Sequence, residues 1–481
     1  MASDARATLP LCARCKEREG VLDLRSEAVC QSCFATFVAS KTIKRLEVLQ
    51  RETRGARLPS RRQRYLVALS RGPSSTALLH ILSENVRRQR ERNQRLKFEL
   101  VPVFVDVDVE MEAGPEPRRT SRPAAAASDP VSPGPMNNGT ATSADAFTAH
   151  FPELTIHNVP LSSILSSRGI DWSSLPAPNT SLPPSARLAD FFSRLPSASA
   201  RADVSRLLIR HALFAAAAAH DCAVVLLGYT TTSLAELTLS EAAKGRGFGI
   251  PWFVNDGAFP LPRAVGPATT DPEEEEEEEE AVVGIDGVSK GLASSRIRDD
   301  DDGDKISVGT AASTASIHIY SPLREIFRKE VLSYLSLVSS SSGPLTDLFP
   351  SSLLPPRAAD GGTAGAVVSH RDQSLDDVVT RFFADVEASY PSVVANVVRT
   401  TGKLNRMAPI VSGTQTDADI GVVGRQCSLC GVGLDLLGDE RWKGEIGEAD
   451  VSTSSPVDEG GNIQREKRSR LCYGCERSIK G

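Results

Sequence analysis

The sequence predicts an α/β fold on a doubly wound parallel sheet, flanked by N- and C-terminal zinc-binding segments and broken by long disordered insertions. Three observations predict it. Nearly continuous apolar runs at 65–69, 98–106 and 223–228 have the length and β-branched content of strands buried on both faces. Helical patterns alternate with them, and such alternation leads to parallel pairing with helices on both faces. Eight of the nine cysteines form four Cys-x-x-Cys pairs, two near each end of the chain.

In residues 1–40, Cys12-x2-Cys15-x14-Cys30-x2-Cys33 has the spacing of a closed tetrahedral site. Each knuckle turns two thiolates toward one ion and leaves no open position, so the site is structural and not catalytic. Residues 41–63 read as a basic helix and linker. Their cations, Lys41, Lys44, Arg45, Arg61 and Arg62 among them, outnumber Glu47 and Glu52 and suit a polyanion such as RNA.

Residues 64–405 form the central domain. Tyr65 to Leu69 is its first strand, Ser70 to Ser75 a tight polar turn, and Ala77 to Leu82 the start of a helix. Such a turn aims backbone N–H groups and a helix dipole at one point, where phosphate binds readily. Phe98 to Asp106 is the second strand, Leu154 to Val159 a short third, Leu188 to Leu195 part of a helix, and Ala200 to His220 an amphipathic helix. Ala223 to Gly228 is the next buried strand, followed by the turn 229–233 and a helix through Lys244. Lys244-Gly-Arg246-Gly-Phe-Gly reads as an exposed glycine-rich loop that could meet phosphate, or as a plain helix cap. Order resumes at Ile317, and Ser374 caps a helix with Asp376 and Asp377 in its first turn. Stretches 111–147, 262–315 and 339–373 are rich in Pro, Ser, Gly or acid and are expected to be disordered. In 422–481, Cys427-x2-Cys430-x41-Cys472-x2-Cys475 repeats the metal-site pattern with a long loop between its halves. Cys222, at the lead-in to a buried strand, reads as a core residue.

The net charge of −6 misleads, because residues 271–304 carry 15 acidic and 3 basic side chains and leave the rest mildly basic. No run approaches the roughly 18 apolar residues of a membrane span, and no secretory signal is present. A cytoplasmic protein whose cysteines hold metal and not disulfides is expected.

Together these pieces resemble the PP-loop ATPases that adenylate a tRNA base and replace its oxygen with sulfur. The family's Ser-Gly-Gly-x-Asp-Ser turn aligns with Ser70, Arg71, Gly72, Pro73, Ser74 and Ser75. Its later Gly-His-Asn-x-Asp-Asp signature aligns with Gly228 to Ser233. The two cysteine sites, the pair Cys33–Phe34, and Tyr320-Ser-Pro-Leu-Arg324 with Lys329-Glu330-Val331 resemble the cytoplasmic tRNA 2-thiolation protein 2 family. The resemblance implies a heterodimer with a catalytic PP-loop tRNA thiolase and a thiocarboxylated ubiquitin-like sulfur carrier. It implies a 2-thiouridine product at the wobble position of tRNAs for Lys, Glu and Gln. It also implies a degenerate nucleotide site at Ser70, Arg71, Gly72, Ser74, Ser75 and Gly228.

The departures matter as much. Arg71 stands for a glycine, and Ser74, Thr232 and Ser233 stand for carboxylates. Neutral hydroxyls bind Mg²⁺ far less well than anionic oxygens, so ATP binding is doubtful and a non-catalytic, tRNA-binding subunit is expected. Two readings stay open beside it. One is an active thiolase using Asp106 or Asp108 for the metal; the other is a zinc-stabilised RNA-binding module unrelated to thiolation.

Overall fold

The computed structural model describes residues 10–53, 63–94, 96, 98–107, 141–167, 169–176, 179–260, 316–340, 342–349, 373–406, 426–434 and 471–481. Its centre is a six-stranded sheet. A small antiparallel hairpin, β1 (Leu22–Leu24) and β2 (Glu27–Val29), precedes the long helix α1 (Gln31–Thr53). Then follow β3 (Gln63–Leu69), α2 (Pro73–Glu91), β4 (Phe98–Asp106), α3 (Ala141–His150), β5 (His157–Pro160), α4 (Pro184–Ser193) and α5 (Ala198–Ala219). Next come β6 (Val224–Leu226), α6 (Thr231–Ala243), α7 (Ile250–Val254), β7 (Gly257–Pro260), β8 (Ser316–Tyr320) and α8 (Arg328–Leu337). The chain ends with the minor hairpin β9 (Ser339–Ser340) and β10 (Gly343–Pro344), then α9 (Leu375–Ser389), α10 (Pro391–Thr401) and α11 (Tyr473–Lys480).

The strand order is β5-β4-β3-β6-β8-β7, parallel throughout except for the edge strand β7. Chain order runs outward from β3 through β4 to β5 on one side and from β6 to β8 on the other, with β7 added antiparallel at the edge. The switch point, where such sheets bind ligands at the strands' carboxyl ends, therefore lies between β3 and β6. The period-2 alternation of each strand divides the core. Tyr65, Val67 and Leu69 face α1, α2 and α8, whereas Leu66, with Val101, Val103 and Val105 of β4, faces α5, α6 and α9. Each cysteine segment joins one of these layers, the N-terminal one beside α1 and the C-terminal one beside α5.

Several boundaries differ from expectation. The basic helix begins at Gln31, inside the second N-terminal knuckle, and not at Lys41. Part of the stretch 111–147 is ordered: α3 starts at Ala141 and buries Phe147, whose ring lies 5.3 Å from that of Phe151. The start of 339–373 is ordered too, because Leu345 and Phe349 bury against the α2/α8 layer. Two scattered apolar residues in a polar run escape periodicity but suffice to anchor a short segment. Residues 111–140, 261–315 and 351–372 lie outside the described residues.

Candidate functional site

Both cysteine clusters assemble as the spacing requires. In each, the four Sγ atoms lie within 4.8 Å of one another. The Cys15–Cys30 and Cys430–Cys472 sulfurs are 3.9 and 3.8 Å apart. A tetrahedral ion with bonds near 2.3 Å would set neighbouring sulfurs about 3.8 Å apart, so each cluster can hold a metal ion. Backbone N–H groups prepare the thiolates. The Cys15 N–H heads the contacts that bring the Cys12 thiol down to about 6. At Cys427 burial opposes ionisation, but hydrogen bonds from Cys430, Cys472 and Cys475 outweigh it and hold the thiol well below its usual range. The Cys427 sulfur in turn pushes Cys430 well up. Four thiolates so close repel one another until a cation joins them.

The C-terminal cluster is bolted to the sheet domain. The buried His211 of α5 donates Nε2–H to the Leu429 carbonyl inside the knuckle at 2.7 Å, which fixes the neutral tautomer. Burial pulls this imidazole down to about 4. Arg246 Nη1 donates to Cys475 Sγ at 3.7 Å, and its Nε donates to Glu241 at 2.7 Å. Asp203 accepts from Arg206, Arg246 and Lys244, and also from Ser478 of α11 at 2.8 Å. Lys244 bridges on to Asp376 of α9 at 2.7 Å. The expectation that Lys244 and Arg246 meet tRNA is corrected here, because they are 7% and 3% exposed and fully engaged. The glycines have a different use. Gly245, at φ +82°, lies where a Cβ would come within 2.6 Å of the Tyr473 ring, and a Cβ on Gly474 would strike Arg246. They let the knuckle approach the turn, not a phosphate.

At the switch point the 70–75 turn keeps its shape by its own hydroxyls. The N–H groups of Ser70 and Gly72 donate to Ser75 Oγ and Ser70 Oγ, each at 3.3 Å, and Ser75 Oγ and Thr76 Oγ1 donate to the Gly72 carbonyl. Arg71 holds φ +55°, a left-handed conformation costly for any residue but glycine. Its guanidinium turns away to stack on Phe104, 3.6 Å from the ring centroid, and to donate to Asn158 Oδ1. Pro73 opens α2 and has no N–H to offer an anion. Ser74 sits in the first turn of α2 with no carboxylate to present.

The second motif is equally self-contained. Thr230 caps α6 and exchanges hydrogen bonds with Ser233. Thr232, fully buried, donates to Glu387 at 2.7 Å and accepts from the Arg328 N–H at 3.0 Å. The two positions where the resemblance calls for a Mg²⁺-binding pair thus carry hydroxyls, Thr232 committed to α9 and α8 and Ser233 to the Thr230 cap of its own helix. Gly228 closes the gap: a Cβ there would lie 3.0 Å from the Ser75 N and Cα atoms. Gly228→Ala is expected to destabilise the chain by about 1–3 kcal/mol through this backbone clash, measurable by denaturant titration.

A second concavity of about 650 Å³ opens at the carboxyl ends of β6 and β8. Arg25, Lys41, Arg45, Arg324, Arg399 and Lys403 line it, against Asp256 and Glu325. Arg45 pairs with Asp256 and lies over the Tyr320 ring, while Lys41 pairs with Glu325 at 2.7 Å. Burial pushes the Asp256 carboxyl above its usual range although Arg324 and Arg45 oppose it. Arg25, from the β1–β2 turn, makes a bidentate contact with Glu330 at 2.7 and 3.0 Å, tying the N-terminal cysteine segment to α8. Lys41 and Arg45 therefore stand together, with Lys44 exposed on the same helix; Arg61, Arg62 and Asp108 lie outside the described residues. Sequence reasoning gave no role to Arg25, Arg324, Arg399 or Lys403, although Arg324 stood within a quoted pattern. Cys222 is buried as expected, and burial raises its thiol to about 11.

The family model for cytoplasmic tRNA 2-thiolation protein 2 matches residues 374–477, which hold α9, α10 and the C-terminal cysteines. A Phaeosphaeria nodorum protein of that description is 28% identical over 484 residues, covering 98% of this chain and 95% of the relative. A solved U34-tRNA thiolase from Methanococcus maripaludis aligns with 87% of this chain and 95% of its own at 11% identity and a TM-score of 0.40, too slight a likeness to argue from. A Sclerotinia sclerotiorum relative, also described as cytoplasmic tRNA 2-thiolation protein 2, is 30% identical over 422 residues, 86% of this chain and 88% of its own. The chain therefore belongs to the cytoplasmic tRNA 2-thiolation protein 2 family.

Proposed function

We propose that this chain is the non-catalytic subunit of a cytoplasmic tRNA thiolation heterodimer. Its partner, a catalytic PP-loop thiolase, takes sulfur from a thiocarboxylated ubiquitin-like carrier. The pair installs 2-thiouridine at the wobble position of tRNAs for Lys, Glu and Gln, and this chain supplies scaffold and tRNA contacts. Zinc is the ion proposed for both cysteine clusters, since four thiolates in tetrahedral array suit it and leave no open coordination position.

One observation carries the reading. Thr232 is a buried hydroxyl held between Glu387 and the Arg328 N–H, where an enzyme of this kind needs a Mg²⁺ carboxylate. A hydroxyl so engaged is neutral and already spent on α8 and α9, so it is poorly placed to bind the metal. The fold and the cationic surface persist, whereas the chemistry's metal ligands do not.

The purified chain is expected to release no AMP from ATP and to thiolate no tRNA alone, while thiolation by the partner requires it. AMP release lost on Asp106→Ala would overturn this assignment and make the chain an enzyme.

A further inference from the structure

The cleft of Arg25, Lys41, Arg45, Arg324, Arg399 and Lys403 has no part in the nucleotide turn or the cysteine clusters. Six separate segments converge to build it: the β1–β2 turn, α1, the start of α6, the link from α7 to β7, the loop after β8, and α10 with its end. Arg25, Lys41 and Arg45 pair with Glu330, Glu325 and Asp256, whereas Arg324, Arg399 and Lys403 pair with no carboxylate among the described residues. Arg324 spends its guanidinium on neutral acceptors, the Val254 carbonyl at 2.6 Å and Asn255 Oδ1 at 3.1 Å. Arg45 Nε is buried without a hydrogen-bond partner. Arg399 and Lys403 reach solvent at the rim. Cations held partly out of water cost free energy that a bound anion would offset. The cleft also lies at the sheet's carboxyl edge, where α/β folds place ligands, and Thr231 at the start of α6 lines it.

We propose that this cleft is a phosphate site, seating backbone phosphates of the RNA that the chain binds. Planar guanidinium forks match phosphate oxygens and carry a charge that no accessible pH removes. The volume suits a phosphodiester with its sugars, not a whole folded partner. The Pro-Leu-Arg pattern acquires a purpose, since its arginine forms the floor of the cleft. The assignment rests on the RNA-binding part of the proposed function.

The test is equilibrium binding of a tRNA transcript to the full chain across a salt series. Arg399→Glu/Lys403→Glu alters two exposed rim residues and should fold. It is expected to weaken binding at least tenfold near 0.15 M salt and to reduce the slope of log affinity against log salt by about one to two. Arg87→Glu/Arg88→Glu on α2, away from the cleft, should leave affinity within a few fold. Unchanged affinity in the rim variant, with loss in the α2 variant, would overturn the cleft and leave RNA binding intact. If the wild-type chain binds no tRNA, the RNA source fails together with that part of the proposed function. Calorimetry with inorganic pyrophosphate then decides the phosphate site itself: binding abolished by the rim variant upholds it for a small phosphorylated ligand, and absence of binding removes it.

Discussion

Asp203→Ala is expected to destabilise the folded chain by about 3–5 kcal/mol, the usual cost of removing one partner from a buried ionic cluster. Asp203 is 1% exposed and is the common acceptor of Arg206, Lys244, Arg246 and Ser478. Without it, Arg246 keeps only Glu241 and the Cys475 sulfur, and Lys244 only Asp376. Denaturant unfolding would show the loss, and faster alkylation of Cys472 would show the C-terminal knuckle lifting from α6. Glu84→Ala, which removes an exposed pair with Arg87, should cost under about 1 kcal/mol. Equal effects of the two substitutions would refute the cluster's role. The pH dependence has a definite sign. Burial opposes ionisation of Asp203, but Arg246, Arg206 and Lys244 outweigh it and hold the carboxyl well below its usual range. Its contribution is therefore complete above the ordinary carboxylate value near pH 4 and falls away only as the pH drops below it.

Metal removal should have the other large effect, and it should come in two stages. The N-terminal cluster leaves Cys15 and Cys33 half-buried, whereas in the C-terminal one only Cys472 is. A chelator should take one equivalent of zinc quickly and the second slowly. Each loss would remove a large part of the ~10–16 kcal/mol by which structural zinc typically holds a small domain together. Cys30→Ser should abolish the fast equivalent and loosen the first turn of α1, because Cys33 in that turn belongs to the same cluster. Cys475→Ser should abolish the slow one. Metal analysis and stopped-flow release separate the two, and a single shared rate would contradict the difference in burial.

What the sequence made legible was local. A Cys-x-x-Cys knuckle dictates its own geometry, and Val-rich runs declare a buried strand without reference to the rest of the chain. The cysteine clusters and the strands β3, β4 and β6 were therefore visible in advance. What stayed hidden was made by distant partners. Lys244 and Arg246 looked exposed because nothing near them predicts burial; the knuckle that covers them begins at Tyr473, and Arg246 meets a sulfur 229 residues away. The cleft was hidden for the same reason, since no pattern announces that the β1–β2 turn and the end of α10 will meet beside Tyr320. Arg71 was half legible: its place in a glycine's position matches the left-handed backbone it keeps, but nothing local announces that its side chain leaves the turn for Phe104.

The self-bonded hydroxyls of the 70–75 turn bear on how the protein is maintained. A loop that needs a ligand to hold its shape ties the folded population to that ligand's concentration. Here the hydroxyls of Ser75 and Ser70 already accept from the Ser70 and Gly72 N–H groups, two donors that a phosphate could have engaged. On the proposed function, folding is expected to be independent of ATP and to depend on the metal that the cysteine clusters would hold. The amount of folded chain should then follow metal supply and ignore the energy state of the cell.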